Sequence, residues 1–346
     1  MTAISRIAGL PGAPILVPLL IGASLGTVTG GTDSLGPVTR ALLSGFSLPC
    51  IAVLMFAVGA QVSVRSLAPV AGRTVLILAG TSLVPGALIL VYAWMAGPEG
   101  IGGVPLLTLL AVGLSSSYGL WAALASRYGT TRDLAAGCMA AVISSGPVLP
   151  LILVMAWRGG SAAVPWRLLI DAVAPVVAGI ALGHLLPAAR QPLKGVIAPL
   201  LPLLALSLGW AIPLRALLTQ APAGIALAVA GGLLSGGLVA LAFRLVLRRP
   251  AGLGWAAGAA AANSAAMPLL LAEGDATWRP YVVVASAQAA VAVLAGTILA
   301  TAVTALTARR GSTHDPEQLP DLVVPGGRPA SGSRERITAG LTGGVR

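Results

Sequence analysis

The sequence predicts an all-α membrane protein: about ten transmembrane helices, built as two inverted five-helix repeats with helices 4 and 9 discontinuous. Three observations carry this. Hydrophobic residues make up 57% of the 346 and charged residues 9%, with a mean hydropathy of +0.93. A surface that faces water needs about 25% charged residues, so most of this surface faces something else. The apolar residues also fall into stretches long enough to cross a hydrocarbon layer, which takes about 20 residues of helix. Finally, the two halves of the chain echo one another.

The candidate spans are 13–30, 41–61, 74–96, 104–126, 134–157, 169–187, 196–214, 222–247, 253–272 and 280–307. Arg6 ahead of the first stretch gives it the look of a signal peptide. The repeat pairs it with span six, which cannot be a signal, so it is read as a span. The 44 Gly and 26 Pro suit membrane helices that pack closely or are interrupted.

A net charge of +11 raises the question of nucleic acid. The basic residues are scattered singly between apolar spans and form no stripe with aromatic partners, so no nucleic-acid partner is expected. They sort by side instead. The N-terminus, the loops after even-numbered spans and the end of span ten hold twelve: Arg6, Arg65, Arg73, Arg127, Arg132, Arg190, Lys194, Arg244, Arg248, Arg249, Arg309 and Arg310. The other side holds five: Arg40, Arg158, Arg167, Arg215 and Arg279. The excess places both termini in the cytoplasm, in a cell inner membrane. Residues 309–346, rich in Gly, Pro, Ser and Arg, read as a disordered cytoplasmic tail with no function attached.

Cys50 and Cys138 lie inside apolar runs, and His184 and His314 are far apart. There is no CxxC, HExxH, Walker loop or GxSxG. No metal or cofactor is therefore expected. A membrane-embedded enzyme needs an Asp-rich metal motif, a Ser–His set or paired Asp residues within the membrane, and the chain shows none. A channel or a sensor is the remaining alternative to a carrier, and a saturable flux separates them.

Ala13-Pro14 with Gly22 recurs as Ala174-Pro175 with Gly183. The run Gly59–Leu67 matches Gly209–Leu217 at an offset of 150, each with a Pro ten residues earlier, at Pro49 and Pro199. The repeats are residues 1–160 and 161–308. Five spans per repeat force opposite orientations, the plan of many secondary transporters, whose sites lie where paired helices are interrupted.

Two corresponding spans look interrupted. Span four contains Ser115, Ser116 and Ser117 between Gly113 and Gly119; span nine contains Asn263 and Ser264 ahead of Pro268. Hydroxyls compete for backbone groups, Gly costs about 1 kcal/mol against Ala in a helix, and Pro removes a donor. An unwound segment there offers hydroxyls, an amide, and free N–H and carbonyl groups, and helix N-termini favour an anion. Small residues that merely let helices approach are the plainer reading; the coincidence of Ser triplet and Asn-Ser favours substrate binding. Gln288 inside span ten is either a substrate ligand or a helix-to-helix donor. Ser144 and Ser145, with Gly146-Pro147, break span five. Gln61 ends span two, and Glu273 is the carboxylate nearest an interrupted helix, where partial burial would raise its pKa. These four residues are the candidates for ion coupling.

These segments resemble the 2-keto-3-deoxygluconate permease family (KdgT-type). The likeness runs from about Arg6 to Arg309. It includes Pro11-Gly12, Leu16–Leu19, Val58–Ala60, Tyr128-Gly129-Thr130, Ser145-Gly146-Pro147, and Pro268 with Leu270, Ala272 and Glu273, then Arg279-Pro280. The resemblance implies proton-coupled uptake of a sugar acid, 2-keto-3-deoxygluconate, by ten helices arranged as in bile-acid and sodium/proton antiporter-type transporters. Where the family carries an acidic residue and Thr-Asn before the Gly of span four, this chain has Leu114, Ser116 and Ser117. Where it carries Glu before Ser-Gly-Pro, this chain has Ser144. The expected partners are therefore a small-molecule carboxylate, a coupling proton or sodium ion, and membrane lipid. Another carboxylate as substrate, and homodimerisation, stay open.

Overall fold

The computed structural model describes residues 13–30, 35–62, 67–144, 146–158 and 166–307, and within them the chain is helical apart from turns and short connections. The one β feature among the described residues is a bridge between Ile101 and Val104. Helices are what a hydrocarbon medium demands, since each satisfies its backbone groups within its own segment. In chain order they are α1 (Ala13–Thr29), α2 (Pro37–Leu43), α3 (Ser47–Gly59), α4 (Leu67–Leu78), α5 (Val84–Ala96), α6 (Leu106–Val112), α7 (Tyr118–Tyr128) and α8 (Thr131–Ser144). There follow α9 (Val148–Trp157), α10 (Trp166–Leu185), α11 (Arg190–Ala211), α12 (Leu214–Thr219), α13 (Ala221–Gly231), α14 (Gly237–Leu245), α15 (Met267–Gly274) and α16 (Val282–Thr307). The predicted tail, 309–346, lies outside the described residues.

Five helical stretches are long and apolar enough to cross a membrane unaided: Ala68–Ala96, Pro187–Ala211, Leu214–Leu245, Ala251–Gly274 and Ala276–Thr307. Two bent pairs raise this to seven: α2 with α3 at 55°, and α8 with α9 at 52°. The second bend falls at Gly146-Pro147, the break named above; the first falls at Ser44-Gly45-Phe46, where a Ser-Gly step also suits a break. Two of the long stretches also widen at mid-length into π-helix, at Ala79–Leu83 and Gly232–Gly236. The two widened turns pack against each other. Such turns are uncommon and gather at functional places.

One layer of the molecule is α1, α11, α3 and α10, packed in that order. Glycine decides how closely. A Cβ on Gly22 would sit 2.9 Å from Trp210 N and closer still to Leu206 O; a Cβ on Gly179 would sit 3.0 Å from Ala60 N and closer still to Phe56 O. Gly26 meets Trp210 O as Gly183 meets Ala60 O, and Gly209 meets Leu19 O as Gly59 meets Val176 O. The contacts recur with one side shifted by 157 residues and the other by 150. Both crossings are small-xxx-small motifs, which let helix backbones touch in a membrane. The recurrence corrects one detail of the sequence reading: the counterpart of Gly22 is Gly179, one helical turn before Gly183. Pro18 and Pro175, each inside its helix, obey the same shift.

The remaining helices form a second body against this layer. Trp121, fully buried, packs edge-to-face on Phe243 with centroids 6.2 Å apart. Gly137 makes room for the indole, because a Cβ there would overlap it. The Trp121 Nε1 donates to the Asp133 carbonyl at 3.0 Å, joining α7 to α8.

Candidate crossing site

Between α6 and α7 lie Gly113–Ser117, and between two 3₁₀ segments, Ala251–Gly258 and Ala262–Ala266, the backbone is extended at Ala259 and Ala261. The two interruptions meet. Ser117 N donates to Ala259 O at 3.0 Å, and Ala261 N donates to the Ser115 hydroxyl at 3.3 Å. The Ser115 and Ser264 hydroxyls are 2.7 Å apart, and Ser115 also donates to Val112 O at 3.2 Å. Ser117 caps α7 by accepting from Leu120 N at 3.3 Å. Pro268 sits in the first turn of α15, where its missing N–H is harmless.

The sequence therefore brings Ser115, Ser116, Ser117, Asn263 and Ser264 into one neighbourhood. Ser116 is 2% exposed, and its hydroxyl makes no hydrogen bond among the described residues. Asn263 is 6% exposed. No charged residue occurs in 109–122 or 256–272. What the crossing offers is uncharged: hydroxyls, one amide, peptide carbonyls at the end of α6 and peptide N–H groups at the starts of α7 and α15. Such groups can hold an anion or a polyol in a dry setting without a buried formal charge.

Other predicted residues go elsewhere. Gln288, fully buried, accepts from the Thr108 hydroxyl at 2.8 Å and donates to Gly103 O and Gln220 Oε1 at 2.7 and 2.8 Å. Its amide thus binds three other segments together, the helix-tie alternative of the sequence reading. Gln61 does similar work, donating to Arg190 O and Ala57 O, both at 3.1 Å. Ser144 is buried at the end of α8, with its hydroxyl 3.5 Å from Ala141 O; Ser145 lies outside the described residues. Glu273 is exposed in the last turn of α15, which corrects the expected partial burial: no neighbouring element covers that end of the helix.

One buried acid escaped the sequence reading. Asp133, 3% exposed, accepts from Arg73 Nη1 at 2.8 Å, Arg249 Nη1 at 2.9 Å, and the Thr130 N–H and hydroxyl at 3.0 and 2.8 Å. This clasp joins α4, α8 and the segment after α14. Arg248, just before the clasp residue Arg249, has a positive φ of 51°. That conformation is costly for a residue with a Cβ, and it carries Arg249 to the carboxylate. A second ion pair joins Arg158 to Asp275, with the guanidinium 5.7 and 5.6 Å from the ring centroids of Trp157 and Trp278. Burial works against ionisation of Asp275, but hydrogen bonds from Thr277 and the Arg158 charge outweigh it and hold the carboxyl below its ordinary range.

Apolar helices that span a membrane repeatedly, together with the family match that follows, define the class: this is a multi-pass membrane transport protein, not an enzyme. The profile of the 2-keto-3-deoxygluconate permease family (KdgT) matches residues 3–313, and the chain belongs to that family. It is 31% identical over 299 residues to the 2-keto-3-deoxygluconate permease of Bacillus subtilis (strain 168), covering 84% of this chain and 88% of the relative. It is 32% identical over 312 residues to that of Xanthomonas euvesicatoria pv. vesicatoria (strain 85-10), covering 87% and 96%. It is 32% identical over 309 residues to 2-keto-3-deoxygluconate permease 1 of Salmonella typhimurium, covering 87% and 94%.

Proposed function

We propose that this chain is a secondary active transporter that imports a small sugar acid, 2-keto-3-deoxygluconate, in symport with protons. The substrate follows the names of its relatives. The observation that carries a carrier mechanism is the crossing of Ser115–Ser117 with Ala259–Ser264, polar, uncharged and buried. The substrate carboxylate is held by N–H groups at the starts of α7 and α15 with Ser116, Ser117 and Asn263, and Gln288 fixes the helices around them. In this reading the chain has ten spans in two inverted repeats, 1–160 and 161–308, in the inner membrane with both termini cytoplasmic. The glycine contacts repeated at 157 and 150 residues support the repeat. Inversion supplies two alternative packings about one site, as alternating access requires.

A second reading has its own support. The crossing holds hydroxyl and carbonyl oxygens and no carboxylate, Glu273 is exposed, and Leu114 and Ser144 stand where the family carries acids. That oxygen set suits sodium, so the rival is a sodium-coupled or uncoupled carrier of this or another small carboxylate. Proteoliposomes decide. Uptake of labelled 2-keto-3-deoxygluconate is expected to saturate, to concentrate under an imposed pH gradient and to ignore sodium. Accumulation that follows sodium alone selects the second reading, and flux that never saturates overturns both.

A further inference from the structure

A cavity of about 230 Å³ lies between α5, α6, α13 and the widened turn after α13. Its walls are Leu, Ile, Pro, Val, Ala and Gly side chains, with two exceptions. The Tyr92 hydroxyl is already engaged, donating to Val104 O at 2.7 Å. Ser235 is 7% exposed, and its hydroxyl makes no hydrogen bond among the described residues. Ala230 of α13 and Leu88 of α5, which both line the cavity and are exposed, mark the mouth between those helices. The far end reaches Val112 and Gly113, where α6 stops at the crossing.

A sugar acid does not belong here, because its carboxylate and hydroxyls would face apolar walls unpaired. We infer that the cavity is a binding site for a small uncharged amphiphile: an apolar body with a single polar end that pairs with Ser235. Volume sets the size. A dry apolar cavity of about 150 Å³ holds benzene, so this one holds roughly eight to ten heavy atoms, an octanol-sized molecule. An occupant touches α5, α6 and α13 at once and lies against Gly113.

The test is photolabelling of the full chain in phosphatidylcholine nanodiscs with an octanol bearing a diazirine, read residue by residue by mass spectrometry. Labelling should saturate on Leu88, Tyr92, Leu227 and Ser235, and exceed that on Trp94 and Leu306, which are 67% and 86% exposed. Ala230→Phe closes the mouth and should cut the labelling at least fivefold. Ser235→Ala should raise the half-saturating concentration by roughly three- to tenfold, the weight of one hydrogen bond. Labelling that never saturates, follows exposure alone or is untouched by Ala230→Phe overturns the site. If Ala230→Phe fails to fold, an unchanged half-saturation in Ser235→Ala overturns it independently. None of these readouts depends on transport, so the site stands or falls apart from the proposed substrate.

Discussion

The Ser115 hydroxyl lies 2.7 Å from the Ser264 hydroxyl, 149 residues further along the chain, and joins the two interrupted helices at their crossing. A hydroxyl has one proton and two acceptor sites. Ser115 also contacts Val112 O and accepts from Ala261 N, so its hydroxyl holds three bonds where the Ser264 hydroxyl holds one. Both hydroxyls are buried.

Ser115→Ala should therefore destabilise more than Ser264→Ala. The first leaves a buried N–H, a carbonyl and the Ser264 hydroxyl short of partners, at about 1–3 kcal/mol for each group truly orphaned. The second removes one bond, worth about 1 kcal/mol. Unfolding in detergent, followed by intrinsic tryptophan fluorescence, gives the order; the reverse order contradicts the bonding described.

Glycine substitutions separate close approach from helix propensity. Gly179→Ala puts a methyl against the Phe56 carbonyl, backbone that cannot move aside, and should destabilise strongly. Gly119, in the first turn of α7, has nothing within 4 Å of where its Cβ would lie, so Gly119→Ala should be neutral or stabilise by up to about 1 kcal/mol. Equal effects at the two positions would mean that α3 and α10 do not touch through backbone.

Asp133→Ala should be the costliest polar substitution outside the crossing. Removing one partner of a buried ion pair costs about 3–5 kcal/mol, and the partial exposure of Arg73 and Arg249, 22% and 33%, lowers this to about 2–4 kcal/mol. Arg249→Ala should cost less, since Arg73 and Thr130 remain on the carboxylate. Thermal unfolding of the two variants ranks them.

At the other ion pair the expectation is a pH dependence. Asp titrates near 3.9 when unfolded, and Asp275 lies below its ordinary range when folded. As pH falls, the unfolded chain binds this proton first, so the stabilisation is complete above about pH 5 and is lost as pH drops through the folded value. Asp275→Asn should be less stable than the parent at pH 7, with the gap closing below about pH 4. Arg158→Ala should narrow the gap without abolishing it, because Thr277 still donates.

What the sequence revealed follows from how local each signal is. Apolar runs show spans because bilayer thickness fixes their length, and Ser115–Ser117 shows an interruption because three hydroxyls between glycines are poor helix. Asp133 stayed hidden because beside Arg132 it reads as an interfacial pair, while its partners Arg73 and Arg249 are 60 and 116 residues away. The widened turn at Gly232–Gly236 is only half legible: the Gly pairs around Ser235 mark poor helix, but nothing local says that the weakness is taken up as a wider turn. The partner of Gly22 was misplaced by one turn because Gly179 and Gly183 fit the same pattern, and only the facing carbonyls distinguish them.

Ser116 offers the sharpest test of the crossing as a substrate site. The residue is 2% exposed and its hydroxyl bonds no described residue, whereas Ser115, its neighbour, is fully engaged. The two serines should therefore separate stability from binding. Ser116→Ala should leave unfolding within about 0.5 kcal/mol of the parent, as for a substitution that breaks no protein contact. It should weaken 2-keto-3-deoxygluconate binding by about 1 kcal/mol, roughly fivefold. Asn263→Ala, which removes an amide able to pair with the carboxylate, should weaken binding by about 1–3 kcal/mol. Glu273→Gln, outside the crossing, should leave affinity unchanged. Isothermal titration with the sugar acid, alongside unfolding of each variant, provides both readouts. Unchanged affinity in both Ser116→Ala and Asn263→Ala would remove the crossing as the site, whatever the fate of Ser115→Ala.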